Sequence, residues 1–317
     1  MGNSIDPVAD ALLAEIRKVA KPRTESLSPL EARRTSREAK LKLAGTPLPT
    51  AEVHDLVMDR PGAPIPARIY RRRALEKQDC AAPLLVFFHG GGWMIGDLDT
   101  HDQLCRRLAN ETGGTILSVD YRLSPEHKFP AAVEDALFSV AWAHENSAFL
   151  GIDSTRLSVG GDSSGGNLAV VASLANRDRK KVRICSQVLL YPVLDMTLKY
   201  AQHYELDPAF PLTYPTLAWF KSHYLENGAD EMDWRASPMH VETLEGLPPT
   251  LIVTARYDPL YPEAAAFVHH LRKSDIDVDH THFNDQCHGF LNAGHHDPAR
   301  IEIMRTICQK IRSLWNT

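Results

Sequence analysis

Short apolar runs recur along this chain at Leu84–Phe88, Ile116–Asp120, Leu157–Gly160, Val188–Tyr191 and Leu251–Thr254, and most are separated by segments with helical patterning. No other feature constrains the fold as strongly. Runs of Val, Ile, Leu and Phe without a polar face suit strands buried on both sides. Helices between such strands act as crossovers, so the alternation predicts a mostly parallel, twisted sheet with helices on both faces, an α/β architecture. The helices are expected over Asp102–Glu111, Ala131–Glu145, Asn167–Asn176 and Glu263–Arg272, and a further strand over Val278–Phe283. Upstream, Val53–Met58 and Ile65–Tyr70 read as extended. Val8, Leu12, Ile16 and Val19 share one helical face. Ser28-Pro29-Leu30-Glu31 supplies an N-cap, a first-turn proline and a capping-box glutamate for a second helix reaching about Ala44, where Gly45 and Pro47 stop it.

A chain of 317 residues can bury a sizeable core, and one domain spanning 1–317 is expected. Hydrophobic residues at 44% and charged residues at 24% are globular values. The net charge of −5 supplies no basic field for nucleic acid or an anionic membrane. No apolar run approaches the ~18 residues of a membrane span, and Met1–Lys21 carries Asp6, Asp10 and Glu15 in place of a signal-peptide apolar block. The 5 cysteines form an odd set without a C-x-x-C pair, which favours reduced thiols and a cytoplasmic location.

In sheets of this kind ligands bind at the carboxyl ends of the strands, and the chemistry-bearing residues fall there. Gly161-Asp162-Ser163-Ser164-Gly165 fits G-x-S-x-G between a strand and a helix, the context in which a sharp turn lifts a serine oxygen clear of the backbone. His89-Gly90-Gly91-Gly92-Trp93 follows another strand, and its consecutive glycines free N–H groups to converge on a developing oxyanion. It is no dinucleotide fingerprint, since Ile95 occupies the third glycine position, and there is no Walker lysine. Asp258 and His288 follow later strands. The order Ser163…Asp258…His288 is that of a nucleophile, an orienting acid and a base in α/β-hydrolases. A serine needs a base to attack. A free imidazole titrates near ~6.5 and is mostly neutral at pH 7, and a carboxylate fixes its tautomer. Asp285 and Glu263 are alternative acids. His280 and His282 alternate along a strand without a third metal ligand in register, Cys287 lacks oxyanion glycines of its own, and Arg71-Arg72-Arg73 reads as a solvated strand end.

These motifs, with Asp120-Tyr121-Arg122-Leu123-Ser124-Pro125-Glu126-His127-Lys128-Phe129-Pro130-Ala131-Ala132, Tyr191-Pro192-Val193-Leu194-Asp195, Asp258-Pro259-Leu260 and His288-Gly289-Phe290, resemble the hormone-sensitive-lipase family of α/β-hydrolase esterases. The resemblance runs from Leu84 to the C-terminus. It implies an α/β-hydrolase fold and cofactor-free, metal-free hydrolysis of carboxylic esters through an acyl-serine. It implies an oxyanion hole from the amides of Gly91, Gly92 and Ser164, with Gly90 shaping the loop. It also implies a helical cap formed by residues 1–45 and an insertion near 196–230. Within that insertion, Lys199–Leu225 gathers Tyr200, Tyr204, Phe210, Tyr214, Trp219, Phe220 and Tyr224, which suit either an ordinary packed helix or a lid with an apolar underside. Trp93, Asp162, Phe210 and Trp219 are the expected substrate contacts. Two departures stand out: Ser164 where alanine is commoner, and Pro262 where the family carries a second aspartate. An amidase or arylacetamide-type deacetylase would use the same triad. A non-catalytic receptor, like the plant gibberellin receptors that resemble this family, would lack the histidine that is present here as His288. The expected partner is a small ester, with short-to-medium acyl chains favoured under a closed cap, and a homodimer is the assembly allowed for.

Overall fold

The computed structural model describes residues 7, 10, 13, 14, 17, 22–49, 52–72, 81–292 and 296–316. Val8, Leu12, Ile16 and Val19, the expected first helical face, lie outside them. Ser28 opens α1 (Pro29–Ala44) through the reciprocal capping box with Glu31, and Gly45 ends it at φ +67°, a conformation cheap only for glycine.

Eight strands form one sheet: β1 (Glu52–Met58), β2 (Ile65–Arg71), β3 (Ala82–Phe88), β4 (Thr115–Val119), β5 (Ile152–Asp162), β6 (Ser186–Leu190), β7 (Thr250–Tyr257) and β8 (Val278–Cys287). Their order is β1-β2-β4-β3-β5-β6-β7-β8. β1 and β2 pair antiparallel, as do β2 and β4, and the remaining neighbours run parallel. Parallel neighbours require crossovers, supplied chiefly by α2 (Asp102–Thr112), α3 (Ala131–Glu145), α4 (Ser164–Arg179) and α6 (Tyr261–Lys273), with α5 (Tyr214–Tyr224) in the connection from β6 to β7 and α7 (Pro298–Trp315) after β8.

The pleat divides the core. Leu84, Val86 and Phe88 of β3 pack on the side of α3, α4 and α6. Leu85 and Phe87 pack on the side of α2 and α7. The sheet is thereby covered on both faces, as the uninterrupted apolar runs require. The structure departs from the sequence reading in several places, among them β5, expected over Leu157–Gly160, which begins already at Ile152. α4 starts at Ser164 rather than Asn167, because Gly165 and Gly166 mask its first turn. β8 continues to Cys287 through polar Asn284, Asp285 and Gln286, since it is a half-exposed edge strand that needs no continuous apolar run. Arg71 is not part of a solvated strand end; it is half-buried and donates to Leu150 O. Arg72 is exposed, and Arg73 lies outside the described residues.

Gly165 shows why the turn into α4 is glycine-rich. A Cβ there would sit 1.9 Å from Phe88 O and 2.8 Å from His89 O, both backbone atoms that cannot swing away. Gly165→Ala is therefore expected to cost about 3 kcal/mol of stability through overpacking, read as a lower denaturation midpoint. An unchanged midpoint would show that α4 does not rest this closely on the end of β3.

Candidate active site

Ser163 joins β5 to α4 with φ +56° and ψ −117°, a strained conformation for a residue with a Cβ, worth about 1–3 kcal/mol. Bonds from Ser163 N to Leu190 O (2.9 Å) and from Val193 N to Ser163 O (3.2 Å) hold it in place. The strained turn presents Oγ at the carboxyl end of the sheet, 3.0 Å from His288 Nε2. His288 Nδ1 lies 2.8 Å from Asp258 Oδ2. Leu260 N donates to the other oxygen, Asp258 Oδ1, at 2.9 Å. Asp258 is 1% exposed and Ser163 8%, so this chain of bonds is shielded from competing water. Tyr191 stacks edge-on against the imidazole at 4.9 Å between centroids.

The neighbouring candidates make other bonds. Glu263 is fully buried and accepts Leu194 N at 2.7 Å. Asp285 stands on β8, whereas His288 Nδ1 faces Asp258. Burial pushes the Cys287 thiol up to about 12, so it is no thiolate near neutrality. His280 Nε2 and His282 Nδ1 each lie 2.8 Å from Thr254 Oγ1.

The glycine loop is held from below. Gly90 N donates to Asp162 Oδ1 at 2.7 Å, so its amide is committed and cannot serve an oxyanion. Asn292 Nδ2 donates to Asp162 Oδ2 at 2.9 Å, tying the turn after His288 to the same carboxylate. Tyr121 Oη bonds His89 O at 2.7 Å and stacks on the imidazole. Among the described residues, the amides of Gly91, Gly92 and Ser164 donate to no protein acceptor. Gly91 (φ +131°) and Gly92 (φ +59°) turn the chain there, and a Cβ on Gly91 would meet Ile95 O at 2.0 Å. Ser164 N opens α4, whose N-terminal dipole favours negative charge.

Ser163 and His288 face a cavity of about 500 Å³. Gly91, Gly92, Trp93, Asp162 and Phe210 line it. Trp219 does not; it is half-buried against Phe220 and His223, and the next residue, Phe220, lines the cavity in its place. A period of 3.6 puts adjacent helical positions about 100° apart, so Trp219 and Phe220 leave α5 on different faces. Trp93 is 1% exposed, with its indole stacked on Tyr224 at 4.1 Å, so most of its surface supports the loop. The sequence reading missed Asn292 and Arg33. Arg33 fastens α1 over the site through Met94 O (2.8 Å), Ser124 O (2.6 Å) and the Glu126 carboxylate. Its signal was present in the i, i+4 spacing of Arg33 and Arg37 on a helix that covers acidic loops.

A mostly parallel sheet with its serine on a strand-to-helix elbow defines an α/β-hydrolase, and a family model described as an alpha/beta hydrolase fold matches residues 85–292. The carboxylic ester hydrolase LipN of Mycobacterium tuberculosis is 39% identical over 92% of this chain and 78% of its own. The ethyl acetate hydrolase of Pseudomonas putida is 34% identical over 83% of each chain. The hyperthermophilic esterase of Pyrobaculum calidifontis superposes with a TM-score of 0.87 at 34% identity, covering 98% of this chain and 99% of that one. The chain belongs to the hormone-sensitive-lipase family of α/β-hydrolase carboxylesterases.

Proposed function

We propose that this protein hydrolyses short-to-medium acyl esters with Ser163 as nucleophile, His288 as general base and acid, and Asp258 as the group that orients the imidazole. The observation that carries the reading is the bonded chain Asp258–His288–Ser163 opening onto a cavity beside free backbone amides. Ser163 Oγ attacks the ester carbonyl as its proton passes to His288 Nε2. The resulting oxyanion takes the N–H groups of Gly91, Gly92 and Ser164, each donor being worth roughly 2.7–4 kcal/mol of barrier. The bond to the alcohol oxygen then breaks, and His288 returns the proton to the leaving alkoxide. Water, deprotonated in turn by His288, attacks the acyl carbon, and as the bond to Ser163 Oγ breaks His288 returns the proton to Oγ, releasing the acid and the free serine.

The insertion near 196–230 and the N-terminal segment serve as a cap in this reading. Glu25, just before α1, accepts the Thr216 hydroxyl of α5 at 3.0 Å, so the two pieces meet over the cavity. A cavity of about 500 Å³ with Phe210, Leu212, Leu217 and Phe220 in its wall suits a limited acyl length, and the ethyl acetate hydrolase relative supports a short one. Each buried CH₂ contributes up to ~0.8 kcal/mol until the wall is reached, after which further groups cost roughly 1–3 kcal/mol. Along p-nitrophenyl esters from acetyl to palmitoyl, kcat/KM is expected to peak at short-to-medium chains and show no jump above the solubility limit. A maximum at palmitoyl, or interfacial activation, would refute the closed-cap reading.

A cytoplasmic location and a homodimer belong to the same proposal. The first is supported by the unpaired Cys105, Cys185, Cys287 and Cys308, the second by β8 standing at a sheet edge with an unpaired side. No helix among the described residues is long and apolar enough to cross a membrane.

A further inference from the structure

α1 crosses the cavity with Ala32, Ser36, Lys40 and Leu43 on its inner face. The spacing 32, 36, 40, 43 is one helical stripe, and Lys40 is the cation on it. It is half-buried. The other cations lining the cavity have carboxylate partners: Arg17 pairs with Asp207 and Arg23 with Glu25. Lys40 has no carboxylate within 4 Å and makes no hydrogen bond among the described residues. The acids whose field reaches it are Asp162 and Asp97, and both are served elsewhere. Asp162 holds Gly90 N and Asn292 Nδ2 and faces His101 Nε2 at 3.4 Å. Asp97 accepts Arg37 Nε at 2.9 Å and Thr100 N at 2.7 Å. Lys40 helps through its field to keep Asp162 ionised, but neither acid takes a hydrogen bond from its ammonium among the described residues. Burial also pushes its ammonium below the ordinary lysine range, with Asp162 and Asp97 pulling back. A half-buried ammonium without a direct hydrogen-bond partner is a cost to the fold that a bound anion would offset.

The cavity wall combines apolar and polar residues. Before α1, Glu25 bonds to Thr216 on the apolar side formed by α5. Lys40 stands within the field of Asp162, which lines the cavity together with Asn292, whereas Leu217 and Phe220 are contributed by α5. We propose that Lys40 is a specificity-determining residue that recognises a carboxylate carried by the ester, so that the favoured substrates are half-anionic: an uncharged portion against the apolar wall and a carboxylate at Lys40. The proposal rests on the esterase reading and narrows its substrate class. An ammonium of this kind is a compact donor of up to three charge-assisted bonds.

The test uses two matched pairs of esters on the full chain. In the first pair the acyl half carries the charge: ethyl hydrogen succinate against the isosteric, neutral ethyl 4-methylpentanoate. In the second the alcohol half carries it: acetoxyacetate against isobutyl acetate. The quantity read is the ratio of kcat/KM for the anionic ester to that for its neutral partner. Each ratio is internal to one enzyme preparation, so partial misfolding of a variant cancels. Lys40→Met should lower the ratio of one pair roughly tenfold to a hundredfold relative to the wild type, the range expected for losing a hydrogen bond to a charged group. The pair that responds identifies the half lying at Lys40. Ratios that stay within about threefold of the wild type for both pairs, or that rise, would overturn the proposal while leaving the esterase reading intact. Failure of the wild-type protein to hydrolyse any of the four esters would instead sink the esterase reading, and the Lys40 proposal with it.

Discussion

Ser163→Ala is expected to lower kcat by about 10⁴–10⁶ while leaving the fold in place. The substitution removes one oxygen and keeps the Cβ, so the strained φ of +56° is no worse than before. The bonds that fix the elbow, from Ser163 N to Leu190 O and from Val193 N to Ser163 O, are made by the backbone and survive. What disappears is the atom 3.0 Å from His288 Nε2 that would form the bond to substrate carbon. Residual turnover then depends on water attacking directly, with the Gly91, Gly92 and Ser164 amides still available. A phosphonate ester should label the wild type at Ser163 and leave the variant unlabelled. Full activity in the alanine variant, or labelling at Cys287, would overturn the nucleophile assignment. The buried Cys287 thiol, pushed up to about 12, gives a physical reason to expect neither.

The parts legible in the sequence are those whose cause is local. β3 is apolar throughout, and β6 over Val188–Leu190, because both faces are covered, and α1 announces itself by the Ser28–Glu31 box and by Gly45. The order of Ser163, Asp258 and His288 could be read because each follows a strand of one parallel sheet, whose carboxyl ends converge on one side. The residues that escaped depend on contacts between distant segments. Asn292 matters because it reaches Asp162, 130 positions away in the chain. Arg33 matters because Met94, Ser124 and Glu126 lie beneath it. α7 carries no chemistry and went unread, although Met304, Ile307, Cys308, Ile311 and Trp315 form a clear helical stripe. The choice of Trp219 over Phe220 failed for a different reason. A cluster of aromatics says that a helix is buried, but not which ring meets the cavity and which meets the protein.

Asp258→Asn should lower kcat by about 10⁴ without unfolding the protein, because it changes a tautomer rather than a shape. The carboxylate makes two bonds, accepting Leu260 N through Oδ1 at 2.9 Å and meeting His288 Nδ1 through Oδ2 at 2.8 Å. With asparagine, the side-chain oxygen keeps the Leu260 amide, which leaves the NH₂ facing the imidazole. Nδ1 must then accept, so the ring proton moves to Nε2, the atom that has to take the proton of Ser163. The base is present but holds its proton on the wrong nitrogen. The pH profile separates this effect from simple loss of structure. In the wild type, kcat/KM should rise with pH and then level off, as general-base catalysis requires. Burial and the neighbouring His101 push His89 down to about 3, so His89 contributes no limb near neutrality. In the asparagine variant the thermal midpoint should stay close to that of the wild type while the plateau falls by the full factor. The neutral ring, not the charged one, is the form that has lost its function. A variant that keeps its plateau within about tenfold would show that Asp258 does not set the tautomer, and the search for the orienting acid would reopen with Glu263 and Asp285.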